Sequence, residues 1–144
     1  MFTSPSLVRE EGKLPASLAD ELILPHLQTG VVLLKNAIGE EKYNALFALG
    51  ANDSKFLLCR KAETFFSLSV LVHALNIETA GAGIVRIKGW DESRSELLSR
   101  FELNDLSKHF RKLAYEVLTQ LNEPINTEDA PVSVKLSRSI LMVV

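Results

Sequence analysis

The fold turns on KFLLCRKAETFFSLSVLVHALN, residues 55–76. Leu58, Ala62, Phe65, Leu68, Val72 and Leu75 recur at three- and four-residue intervals, the spacing that lines one face of an α-helix. Phe66 and Leu71 broaden the stripe. At 1.5 Å per residue such a helix is about 33 Å long, the length of a small domain. Its polar side chains gather near the start, at Lys55, Arg60, Lys61 and Glu63. Its second half is therefore expected to be nearly surrounded by protein, with the other helices wrapped around it.

Upstream, Leu27, Val31, Leu34 and Ile38 keep helical spacing until Gly39 stops the run. Gly30 lies inside it at a cost of up to about 1 kcal/mol relative to Ala. Ser17, with Asp20 and Glu21 following, supplies an N-cap oxygen and first-turn carboxylates. Pro25 would remove one helical hydrogen bond, so either a short turn ends near Ile23 or the helix kinks there. Residues 1–16 carry Pro5, Gly12 and Pro15 without an apolar period and read as a flexible arm. Residues 40–49 read as a further helix, with Glu40 and Glu41 at its positive end and Tyr43, Leu46 and Phe47 on one side.

Downstream, glycines flank the β-branched run Ile84, Val85, Arg86, Ile87, Lys88, whose alternation predicts a short strand or hairpin arm within residues 81–90. Ser93 and Glu96 have capping-box spacing. Phe101, Leu106, Phe110, Leu113, Val117 and Leu121 mark the last helix, which residues 93–100 either join or precede. After Pro124 the tail, residues 124–144, takes strand period through Val132, Val134 and Leu136 and ends apolar with Ile140 and Met142. One strand is not stable alone, so this tail must pair with residues 84–88, with another copy or with another protein. The fold class is mainly α: a bundle of four or five helices over residues 17–123, with a short β arm and a strand-like C-terminal tail.

Composition bounds the function. The chain has 144 residues, 16 Lys and Arg against 18 Asp and Glu, one Cys and 47% apolar residues. A chain of this length buries roughly 70% of its unfolded surface, enough for one core without disulfide or metal staples. No leader-like apolar segment is evident in residues 1–14, and the longest apolar-rich stretch falls short of the ~18 residues of a membrane span. The cytoplasm is the expected compartment. The charge of -2 gives no global attraction to nucleic acid or membranes.

Chemistry is sparse. His26, His73 and His109 lack the paired spacing that brings two ligands onto one helix face, and one Cys cannot hold zinc, so neither a metal nor a cofactor is expected. Asp105 and His109 are four apart, the spacing of a surface contact. Cys59 beside Leu58 reads as a buried structural thiol, and His73 as a core residue. Gly81-Ala82-Gly83 lacks the third glycine of a dinucleotide fingerprint, with Arg86 in its place. Arg86, Lys88, Arg94 and Arg100 are offset by Asp91, Glu92, Glu96 and Glu102, which suits a mixed-charge protein contact. Trp90, at the root of the arm, either anchors an interface or caps the core.

The order of parts resembles the head-tail connector (adaptor) proteins of long-tailed phages and prophages. The likeness lies in Leu18-Ala19-Asp20-Glu21-Leu22-Ile23 leading into the helix that ends at Ile38, and in Ile38-Gly39-Glu40-Glu41-Lys42-Tyr43 after it. It continues through the central helix, residues 83–90, and Phe110-Arg111-Lys112-Leu113-Ala114-Tyr115. It covers residues 17–122. The resemblance implies a noncatalytic virion component, present in the host cytoplasm during assembly. It would form a homo-oligomeric ring on the portal protein, be followed by a tail-completion protein, and leave nonspecific contact with DNA in the channel open. The expected interface is Ile84, Val85, Arg86, Ile87, Lys88 and Trp90 with Val132, Val134, Leu136, Ile140 and Met142. Closing a ring needs heterologous contacts, which an arm and a tail can supply.

Two other classes compete. One is a small helical protein-interaction adaptor. The other is a helical-bundle nuclease or toxin, which requires an Arg and a His a few residues apart on one helix. Arg60 with His73, and Arg100 with His109, are spaced too widely for that.

Overall fold

The computed structural model describes residues 1–81, 100–122, 124–128, 130 and 131. Within them the chain is mainly helical: α1 (Pro5–Gly12), α2 (Asp20–Ile38), α3 (Glu40–Phe47), α4 (Ser54–Gly81) and α5 (Arg100–Thr119), with no strand among the described residues. The expected arm at residues 84–90, the capping box at Ser93 and the strand period from Val132 lie outside the described residues.

Central helix α4 is 28 residues, about 42 Å. It packs chiefly on α5 and α2, while α1 and α3 add smaller contacts. Every residue from Ala62 to Ser69 is buried, so the helix is enclosed on all sides there. A helix with no solvent face must satisfy its own polar groups. Thr64 Oγ1 donates to Arg60 O at 2.8 Å, Ser67 Oγ to Glu63 O at 2.8 Å and Ser69 Oγ to Phe66 O at 2.6 Å. Each hydroxyl thus turns back onto its own helix.

Gly30 marks the crossing of α2 over α4. A Cβ there would fall 2.1 Å from Ser67 Oγ and 3.1 Å from Ser67 N. Glycine is needed for close approach, which offsets its propensity cost. The link from α2 to α3 depends on Gly39, at φ +89°, where a side chain would be strained.

Two details differ from expectation, and one open alternative is decided. Residues 1–16 are no loose arm. Ser4 caps α1 by accepting from Leu7 N, Pro5 begins it, Lys13 closes it in the left-handed region, and Phe2, Val8 and Leu14 are buried. The α2 N-cap is Ala19 rather than Ser17, and no side chain caps it. Instead Arg9 of α1 pairs with Asp20 and donates to Leu18 O at 3.0 and 2.7 Å. At Pro25, where the sequence leaves open a stop near Ile23 or a kinked helix, α2 continues, with Pro25 on its exposed side.

After α5 the chain turns at Asn122, φ +56°, and returns to α2, where Asn126 N–H donates to Ala37 O at 2.7 Å. Ile125 packs on the core and Ala130 is buried. The first residues of the expected tail are therefore tied to the bundle.

Candidate functional site

Glu63 is the one carboxylate in the described core, with no solvent exposure. It lies in line with Phe56, Cys59 and Phe66 at helical spacing, so the face that carries it points inward. Three donors converge on it. Phe2 N–H and Thr3 N–H donate to Oε1 at 2.9 and 3.2 Å, and Tyr43 Oη donates to Oε2 at 2.9 Å. One turn earlier on α4, Arg60 Nε donates to Phe2 O at 3.1 Å. Glu63 and Arg60 thus bracket the backbone of Phe2.

Side chains complete the clasp. The Phe2 ring meets Tyr43, Phe47 and Phe56 edge to face, with centroids 4.9, 5.3 and 4.9 Å away. Arg60 lies 5.2 Å from the Phe56 centroid. Thr3 Oγ1 and Thr64 Oγ1 are 2.6 Å apart. The Thr64 proton is already given to Arg60 O, so Thr3 is the donor.

Burial governs the electrostatics. It lifts the Glu63 carboxyl above its ordinary value even though the three donors and a nearby ammonium pull the other way. Burial, then the Glu63 charge, holds the Tyr43 phenol well above its usual range. The same two causes push Cys59 up to about 12. Cys59 is fully buried, in keeping with a structural thiol. Glu63 and Tyr43 are hydrogen-bonded to each other, and packing encloses both together with Cys59.

Two clefts flank the clasp. One of about 160 Å³ lies between α1 and α4, lined by Leu7, Leu57 and Thr64 with Glu10, Glu11, Arg60 and Lys61. Another bends around the start of α3 and carries Glu40, Glu41 and Lys42. In both, cations share the lining with carboxylates.

A third groove, about 430 Å³, runs between α4 and α5. It is lined by Ser69, Val70 and His73 from α4 and by Asn104, Ser107, Lys108 and Arg111 from α5. Ser107 Oγ donates to Ser69 O at 2.6 Å and pins the two helices at its floor. The structure thus brings a histidine and an arginine together across two helices, where the sequence reading looked for them on one. His73 is half-buried, at the groove wall instead of in the core, and His109 and Asp105 are exposed.

All eleven expected interface residues, from Ile84 to Trp90 and from Val132 to Met142, lie outside the described residues. Glu63 is the functional residue that the sequence reading did not single out. Its signal was an acid in register with Phe56, Cys59 and Phe66. Among the described residues no group of three His, Cys, Asp or Glu could hold a metal ion, and no helix is long and apolar enough to cross a membrane. Comparison with family models, with curated proteins and with solved structures returned no match to this chain.

Proposed function

We propose that this protein is a noncatalytic assembly component, a head-tail connector (adaptor) that joins a ring on a phage or prophage portal. The observation that carries the reading is the use to which the buried acid is put. Glu63, Tyr43 and Cys59 are titratable groups packed into the described core, and Glu63 accepts both from Tyr43 and from the N-terminal backbone. A bundle that spends its buried carboxylate on locking its own chain is built for rigidity. Rigidity is what a ring subunit requires, since small errors at each contact accumulate around a closed ring. Helices α2 to α5 hold part of the sequence on which the connector resemblance rests, while residues 83–90 lie outside the described residues.

In this reading the bundle is the body of the subunit. Residues 84–90 and 132–144 reach the neighbouring copy or the portal by adding strands to an exposed edge. The test is co-purification of the full chain with the portal protein encoded near it, followed by native mass spectrometry of the complex. The expected result is a complex holding several copies, lost when residues 84–90 and 132–144 are both deleted. Failure to bind the portal would overturn the connector role, and binding unaffected by the double deletion would overturn the assigned contacts.

A further inference from the structure

We infer that the groove between α4 and α5 is a binding site for phosphate groups, with Arg111, Lys108 and His73 as its ligand-contacting side chains. The inference does not depend on ring assembly. Its basis is a juxtaposition of two short polar stripes. On α5, Asn104, Lys108 and Arg111 stand four and then three residues apart, and on α4 Ser69 and His73 stand four apart. Such spacings put each set on one helix face. The two faces meet across the groove, so cationic and neutral donors from both helices point into one space.

The charge balance of this groove differs from that of the two clefts beside the clasp. Among the described residues its lining contains two cations, a histidine and no carboxylate, in a chain whose net charge is -2. The other two clefts each carry a pair of glutamates alongside their cations. The ion pairs formed among the described residues engage Arg9, Lys35 and Lys112, and neither Lys108 nor Arg111 takes part in one of them. Lys112, next to Arg111 in sequence, points elsewhere and reaches Glu116.

Phosphate fits this donor set better than a carboxylate does. Arg111 offers a planar fork of five N–H groups and Lys108 three, and the Asn104 amide and the His73 ring add more. The two serine hydroxyls have already given their protons to backbone carbonyls. The groove therefore has an excess of donors, and a phosphate, with three or more acceptor oxygens, can use more of them than a carboxylate with two. Arginine's fork also matches phosphate geometry. The volume lies within the ordinary range of small-ligand sites, and the Ser107 to Ser69 bond fixes the floor in advance.

The phosphate could belong to a small phosphate ester or to a nucleic-acid backbone. Titration of the full chain at low salt separates the two, using inorganic pyrophosphate in one arm, a fluorescent single-stranded oligonucleotide in a second and polyglutamate in a third. The expected result is saturable pyrophosphate binding, weakened at least tenfold by Lys108→Gln with Arg111→Gln, several-fold by His73→Gln, and unchanged by Lys112→Gln. Thermal melts of the variants should match the parent, since Lys108 is exposed and Arg111 and His73 half-exposed. If the oligonucleotide binds more tightly than pyrophosphate, with a log-log salt slope of about -1.4 or steeper for two or more contacts, the backbone is the source. If pyrophosphate binds and the oligonucleotide does not, the source is a small ester. Absence of pyrophosphate binding, indifference to the double variant, or polyglutamate binding equally tightly would each overturn the inference.

Discussion

Replacing Glu63 tests the clasp most directly, because three buried donors end on its two oxygens. In Glu63→Ala all three lose their acceptor. A buried donor left unpaired costs about 1–3 kcal/mol, so three would cost roughly 3–9 kcal/mol if nothing moved. Relief from burying a carboxyl, and rotation of the Tyr43 hydroxyl, lower the expected loss to about 3 kcal/mol. That is a large share of a domain's 5–15 kcal/mol. Glu63→Gln is gentler. Its carbonyl can still accept from Phe2 and Thr3, and its amide can donate to Tyr43 Oη once that hydroxyl turns, so about 1 kcal/mol is expected. Urea titration by far-ultraviolet circular dichroism gives both numbers. Amide exchange at Phe2 and Thr3 should accelerate strongly in Ala and little in Gln. Equal losses for the two variants, or unchanged exchange at Phe2 and Thr3 in Glu63→Ala, would show that the acid does not hold the segment.

The same pair of proteins reads the charge state. Burial holds the Glu63 proton past the ordinary 4.5, so above that pH the folded chain binds more protons than the unfolded one. Stability from this group is then complete below pH 4.5 and lost as pH rises through the folded value. Because Gln does not titrate, the advantage of the parent over Glu63→Gln should be largest near pH 4 and shrink toward neutrality. An advantage that grows with pH would mean that the converging donors outweigh burial.

Further outcomes follow from the packing. Phe2→Ala should cost about 3–5 kcal/mol by urea titration, since a nearly fully buried ring is lost among three aromatic neighbours. Gly30→Ala should destabilise by about 1–3 kcal/mol despite Ala's better helix propensity, because its Cβ meets the Ser67 backbone as well as its hydroxyl. Thermal melts would show a lower midpoint, with part of the loss absorbed when Ser67→Gly is added. Cys59 should resist an aromatic disulfide reagent at pH 8 in the folded chain and react at once in urea, because its thiol is fully buried and pushed up to about 12.

The bundle was legible in the sequence where period and burial agree. The α4 stripe, the stop at Gly39 and the stripe of α5 are local patterns, and the helices stand where those patterns put them. Pro5 and Gly12 have the look of helix breakers, which conceals α1 in the N-terminal segment. Proline right after a serine is also a helix start, and Ser4 with Pro5 is used that way. Ser17 failed as a cap because Arg9, nine residues before Leu18, holds that turn instead. Glu63 was hidden beside Arg60 and Lys61, which made it look like part of a charged face. Its role depends on Phe2 and Thr3, some sixty residues away, and no local pattern reports that.

The clasp and the groove also show how a structural polar cluster differs from a binding one. Around Glu63 donors and acceptors cancel: two N–H groups and a phenol meet one carboxylate, and each threonine proton has an assigned oxygen. Such a set has nothing left to offer a ligand. In the α4–α5 groove the serine protons are spent on the floor, while the cations above them meet no carboxylate among the described lining residues. Unspent donors beside a fixed floor lose little freedom when an anion arrives, which is the condition under which a groove binds instead of merely existing. The contrast places two roles on one helix: the turns of α4 around Glu63 close the fold, and Ser69 and His73 further on line a groove whose cations come from α5.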